Sequence, residues 1–110
     1  MKNLSGNDEL ILLAILALKE EAYGATIMKH LTRVSGREWS IGAIYDPLYR
    51  MEKAGYVRSE QTAPVSVRGG RSKRLYVVTS DGLNALREQH RVRRELSRAL
   101  NEFEMEHPAE

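Results

Sequence analysis

The chain has 110 residues, enough for one domain with a modest core, and its 42% apolar content excludes a wholly disordered chain. It holds no cysteine, which excludes a disulfide scaffold and thiolate metal sites and fits a reducing, cytoplasmic setting. The net charge is only +2, yet Arg68, Arg71, Lys73 and Arg74 fall in one stretch free of acids, while Glu102, Glu104, Glu106 and Glu110 make the end acidic. A local basic patch on a near-neutral chain points to an anionic partner at one face. The longest aliphatic run, residues 10–18, is too short to cross a bilayer and is flanked by Asp8, Glu9 and Glu20, so no membrane role is expected. No basic start leads into an apolar stretch and a small-residue cleavage site, so no signal peptide is expected.

Residues 1–6 read as a loose end in which Leu4 can dock. Ser5 or Asn7 caps a first helix that runs through Lys19. Its LILLAILAL segment is apolar on every side and marks the central core helix. Residues 20–23 are a short connection. Residues 24–34 form a second helix, with Ile27, Met28 and Leu31 inward and Lys29, His30 and Arg33 outward. Tyr23 stands at its start, where a hydroxyl either touches a phosphate or packs half-buried. Residues 35–37 are a turn, and Trp39 is a core anchor.

Residues 39–55, WSIGAIYDPLYRMEKAG, read as a third helix. Ser40 is a good N-cap, and Gly55 sits where the left-handed residue after a helix is found. Ile44, Leu48 and Met51 recur at helical spacing and form the buried face. The other face carries Gly42, Tyr45, Asp46, Tyr49, Arg50 and Lys53. Its small first turn (Ser40, Gly42, Ala43) allows close approach of a backbone. This pattern fits a helix that enters a DNA major groove N-terminus first, or a plain amphipathic surface helix. Asp46 either accepts from a cytosine amino group or pairs with Arg50 four residues on. Pro47 takes away the donor for the Ala43 carbonyl, at a cost of roughly 3 kcal/mol. It predicts a bend or a separate 3₁₀ first turn.

Beyond Gly55, residues 56–60 alternate as a strand, residues 62–72 lack periodicity and form a loop, and residues 75–79 form a second strand. Together they make a hairpin with a basic, projecting tip. Thr79 or Ser80 caps a last helix reaching about Met105. Leu83 and Leu86 pack on the domain. Leu96, Leu100 (or Ala99) and Phe103 form a second stripe whose spacings of four and three suit a helix–helix seam with another subunit. The alternative is a helix folded back on its own core.

No enzyme chemistry emerges. His30, His90 and His107 have no metal-ligand spacing, and both His30 and His90 read as surface residues, His90 solvated among arginines. There is no serine or cysteine nucleophile motif. The segment 69–73 lacks phosphate-loop spacing and precedes a strand instead of a helix. The expectation is therefore no catalytic residue, no metal and no cofactor.

Helix, helix, helix, strand, basic loop, strand, helix is the order of a winged helix. With that order in place, the sequence resembles the PadR family of bacterial transcriptional regulators. The resemblance is carried by LILLAILAL, Ala22-Tyr23-Gly24, Ser40-Ile41-Gly42-Ala43-Ile44-Tyr45, Leu48-Tyr49-Arg50-Met51-Glu52, Gly55-Tyr56-Val57 and the run from Gly69 to Gly82. It covers about residues 5–87, and the motifs are specific together, each being weak alone. It implies a mainly α fold with a small β-hairpin: a winged helix-turn-helix over residues 1–82 and a dimerisation helix with an acidic tail over residues 83–110. It further implies a homodimer that binds double-stranded DNA at a palindromic operator, acts as a repressor and is released by a small hydrophobic effector. The last helix has no tryptophan, where ligand-binding short relatives use an aromatic platform. In this reading Tyr23, Ser40, Gly42, Ala43, Tyr45, Tyr49 and Arg50 meet DNA from the helices. Arg68, Arg71, Lys73 and Arg74 meet it from the wing, and Leu96, Leu100 and Phe103 form the dimer seam. The competing class is a winged helix used only as a protein-interaction module, which would have little use for such a run of cations.

Overall fold

The computed structural model describes residues 4–62 and 73–108, so the expected contacts of Arg68 and Arg71, and the Gly69–Gly70 pair, lie outside the described residues. Ser5 opens α1 (Gly6–Leu18) with a reciprocal cap. Its hydroxyl accepts from the Asp8 backbone N–H at 3.1 Å, and the Asp8 carboxylate accepts from the Ser5 N–H at 3.0 Å. Two donors that the helix start would leave unpaired are thereby satisfied. Leu4 docks into the core, as do Ile11, Leu12, Ala14 and Ile15 of α1. The expectation of a helix buried on every side is corrected, since Leu16 is 42% exposed. A domain this small has too few elements to cover a helix all round.

A 3₁₀ turn (Lys19–Glu21) leads to α2 (Gly24–Ser35), which ends on Gly36 in the left-handed conformation at φ 72°. Trp39 is buried and donates its indole N–H to the Ser35 hydroxyl at 3.2 Å, while the Arg37 guanidinium lies 4.3 Å from its ring centroid. Then comes α3 (Ile41–Lys53), where the Ser40 hydroxyl accepts from the Ala43 N–H. Pro47 sits inside α3, yet the helix is α throughout, so its first turn is not a separate 3₁₀ piece. Ile44, Leu48 and Met51 are buried, which supplies the packing that offsets the missing hydrogen bond.

Strands β1 (Val57–Gln61) and β2 (Arg74–Val78) pair antiparallel, Val57 opposite Val78 and Gln61 opposite Arg74. The segment before α2 joins them, through a bridge between Tyr23 and Leu75 and a bond from the Tyr76 N–H to the Ala22 carbonyl at 2.9 Å. What the sequence showed only as a corner is thus a single antiparallel bridge onto the outer side of β2. It locks the start of α2 to the base of the wing. Thr79 caps α4 (Ser80–Glu106) and also donates to the Gly55 carbonyl at 2.6 Å. Gly82 lies so close to the Tyr56 carbonyl that a Cβ there would overlap it. The start of α4 is therefore pinned to the end of α3.

The core sits between α1, α2, α3 and the hairpin, with Ala85 and Leu86 of α4 closing its edge. At 27 residues, α4 is roughly 40 Å long. Its second half is exposed and does not fold back on the domain. His90 departs from the expected solvated residue. It is half-buried, and its Nε2 lies 3.5 Å from the Glu9 carboxylate of α1. The architecture is a winged helix-turn-helix with a long C-terminal helix.

Candidate nucleic-acid interface

The first turn of α3 is open. Ser40, Ile41 and Gly42 are exposed, Ala43 is half-buried, and a Cβ added at Gly42 would meet only the Asp46 carboxylate, at 3.5 Å. Tyr45 and Tyr49 project from the same side, both exposed. The Tyr45 phenol also reaches the start of α2, where its hydroxyl occupies the space a Cβ on Gly24 would need. Glycine at that position lets the two helices meet there. Behind them, burial raises the pKa of the Tyr76 phenol, and Tyr45 and Glu52 add to the shift against the opposing charge of Arg74.

Two cation–aromatic contacts frame this surface. Lys53 Nζ lies 5.0 Å from the Tyr49 ring centroid, and Lys73 Nζ lies 5.0 Å from that of Tyr23. Tyr23 is half-buried and carries the base of the wing on its ring. Arg74 is exposed and donates to the Ser59 hydroxyl at 2.9 Å and to Gln61 Oε1 at 3.1 Å, while Ser59 donates to Glu52 of α3 at 2.7 Å. Tyr23, Ser40, Gly42, Ala43, Tyr45, Tyr49, Lys73 and Arg74 are therefore brought together on adjoining elements. Leu96, Leu100 and Phe103, at 73%, 57% and 59% exposure, are far along α4 and form their own stripe.

Arg50 is placed differently from the expected pair with Asp46. Its two terminal nitrogens donate to Asp8 of α1, at 3.0 and 2.8 Å. The Asp8 side chain is 2% exposed and that of Arg50 56%. Forked donors engage both oxygens of a buried carboxylate, which fixes geometry better than an exposed pair one helical turn away. Burial pushes the Asp8 carboxyl up, but hydrogen bonds from Arg50 and the Ser5 N–H outweigh it and hold the group below its ordinary 3.8. Asp8 belongs to the support of this surface, and sequence reasoning missed it because Asp8 reads there only as a charge flanking the aliphatic run of α1. Gly24 was missed as well, since only its contact with Tyr45 shows why it must be small. Among the described residues no group of three His, Asp or Glu side chains could hold a metal ion, and no helix is long and apolar enough to cross a membrane.

Residues 12–88 match the transcriptional regulator PadR-like family. The chain belongs to that family. This PadR-like regulator is 38% identical over 84 residues to the transcriptional regulator Rv3488 of Mycobacterium tuberculosis, covering 76% of this chain and 74% of the relative. Its fold is similar to that of a PadR family transcription regulator from Clostridium difficile, with a TM-score of 0.68 and 26% identity over 89% of this chain and 98% of the other. It is also similar to part of the Orc1 protein of Aeropyrum pernix, solved in complex with DNA, with a TM-score of 0.58 and 27% identity over 83% of this chain and 26% of that one.

Proposed function

We propose that this PadR-like regulator is a sequence-specific DNA-binding repressor that acts as a homodimer on a palindromic operator. The observation that carries this reading is the single exposed surface joining the first turn of α3, the start of α2 and the cationic base of the wing. In it, Ser40, Gly42, Ala43, Tyr45 and Tyr49 approach base edges in the major groove. Tyr23, Lys73, Arg74 and the wing residues Arg68 and Arg71 meet phosphates. Arg50 holds α3 in place from behind and keeps its remaining donors for the backbone. The similarity to part of the Orc1 protein, a chain solved in complex with DNA, supports this reading.

One winged helix reads few base pairs, so a second copy supplies the selectivity that a genome demands. Leu96, Leu100 and Phe103 provide its seam, being exposed apolar residues aligned along one stripe of α4 that Val92 extends toward the domain. An open groove of about 510 Å³ where α4 passes α1, with Leu13 and Leu86 at its floor and otherwise polar and charged residues such as Arg87, His90 and Arg91, gives room for a small effector. Sequencing DNA fragments selected by the purified protein tests the reading, and a two-fold symmetric motif is the expected result. Gly42→Leu is the matching variant. It has room in the fold, so it should leave helicity unchanged but weaken operator binding about 10- to 100-fold, with random DNA little affected. Equal loss on both kinds of DNA, or no enriched motif, would refute base reading by α3.

A further inference from the structure

We propose that Glu9 is a positioning residue that sets the angle at which α4 leaves the winged helix and, through the dimer proposed above, the spacing between the two half-sites. The helix α4 is fastened to its own domain at two places. The first is apolar and tight, where Gly82 lies on the Tyr56 carbonyl and Leu86 enters the core. A single fastening of that kind leaves a helix free to swing about it. The second lies about one turn further along. Glu9, with 8% of its side chain exposed, accepts from Gln89 at 2.7 Å and from Arg93 at 3.0 Å through Oε1, while its Oε2 lies 3.5 Å from His90 Nε2. Gln89 and Arg93 are four residues apart on one face of α4, and His90 is beside them. Three positions of α4 therefore converge on one carboxylate.

Past Arg93 the described part of α4 is exposed except for Ser97, which is half-buried, so it is a lever. From Leu86 to Phe103 it runs roughly 25 Å, at about 1.5 Å per residue. A swing of about 10° at its root moves Phe103 by ~4 Å, more than the ~3.4 Å between neighbouring base pairs. The angle therefore matters on the scale of a single base pair.

The neighbouring residue does the same for the reading helix. Asp8 holds Arg50 of α3 through both its oxygens. Two adjacent acids in the capped first turn of α1 thus grip α3 and α4 separately, and the turn between them fixes the two helices relative to each other. Burying two carboxylates is a poor way to gain stability, because desolvation offsets most of the attraction. It is an effective way to specify one geometry.

The test uses the absence of native cysteines. Spin labels at Ala54→Cys and Asn101→Cys, both exposed positions, report the intrachain distance between the end of α3 and the arm. Dilution with unlabelled chain removes signals between subunits. The parent should give one narrow distribution. Glu9→Ala should broaden it, Glu9→Gln should partly restore it, and Gln89→Ala with Arg93→Ala should broaden it equally while leaving α1 untouched. On operators with half-sites moved apart by one or two base pairs, the parent should lose roughly tenfold or more in affinity, and the broadened variants less than about threefold. Folded variants with the parent's distance distribution, or with its spacing preference, would overturn the proposal. A parent that fails to bind DNA as a dimer would refute the functional reading instead. The intrachain distance needs no DNA and would still decide whether Glu9 sets the arm.

Discussion

Replacing Arg50 by alanine should cost more than replacing Asp8, although the two residues share one ion pair. Asp8 is 2% exposed, so Arg50→Ala strands an almost fully buried carboxylate. Removing one partner from a fully buried pair costs about 3–5 kcal/mol, mostly the penalty of the charge left behind. This part-buried pair, whose carboxylate keeps the Ser5 N–H, falls at the low end, about 3 kcal/mol. Asp8→Ala removes the buried charge itself. The Arg50 side chain is 56% exposed and returns to water, so the loss is confined to the cap on Ser5 and the net hydrogen bonding, about 1–2 kcal/mol. Arg50→Ala should therefore be the worse variant by about 1–2 kcal/mol, and the double variant should be more stable than Arg50→Ala alone.

The pH dependence follows with opposite signs. In the parent the folded Asp8 carboxyl is held below its ordinary 3.8, because the bonds from Arg50 and Ser5 outweigh the upward push of burial. Its contribution is fully present above that value and is lost as pH falls through the lower, folded value. In Arg50→Ala, burial acts with less to oppose it and the folded carboxyl rises. The deficit of that variant should shrink as pH is lowered from neutral toward the ordinary carboxylate range. Urea unfolding followed by helical circular dichroism, at one fixed chain concentration, measures all of this. Equal costs for the two single variants, or a deficit in Arg50→Ala that grows on acidification, would refute the reasoning.

Lys73→Ala with Arg74→Ala should weaken binding to every DNA sequence. The slope of log affinity against log salt should flatten by roughly 2 per subunit if each cation neutralises one phosphate, and an unchanged slope would remove the wing base from the interface. Leu96 and Phe103 changed together to polar residues should leave the winged-helix core folded but release monomers in sedimentation. Operator affinity should then fall steeply, because the second half-site is no longer tethered. A variant that stays dimeric would show that the seam lies elsewhere.

The sequence by itself determined the elements, their order and their inward faces. Ser5, Ser40 and Thr79 cap helices where local chemistry says they should, and Ile44, Leu48 and Met51 are buried at the spacing that announced them. These signals are legible because capping and periodicity depend on residues a few positions apart. The free stripe on α4 is legible for the same reason. What only the tertiary structure decided is how the elements hold one another. Arg50 pairs across 42 residues with Asp8, and Gln89 and Arg93 reach back 80 and 84 residues to Glu9. His90, which looked solvated among arginines, lies against that same carboxylate. Charge in a sequence does not say which of several cations an acid will meet. That choice is made when packing of the apolar faces brings remote turns together and removes water from some carboxylates but not from others. The approach of Tyr45 to Gly24 and the bridge from Tyr23 to Leu75 arise in the same way, since each joins segments whose local patterns carry no trace of the other.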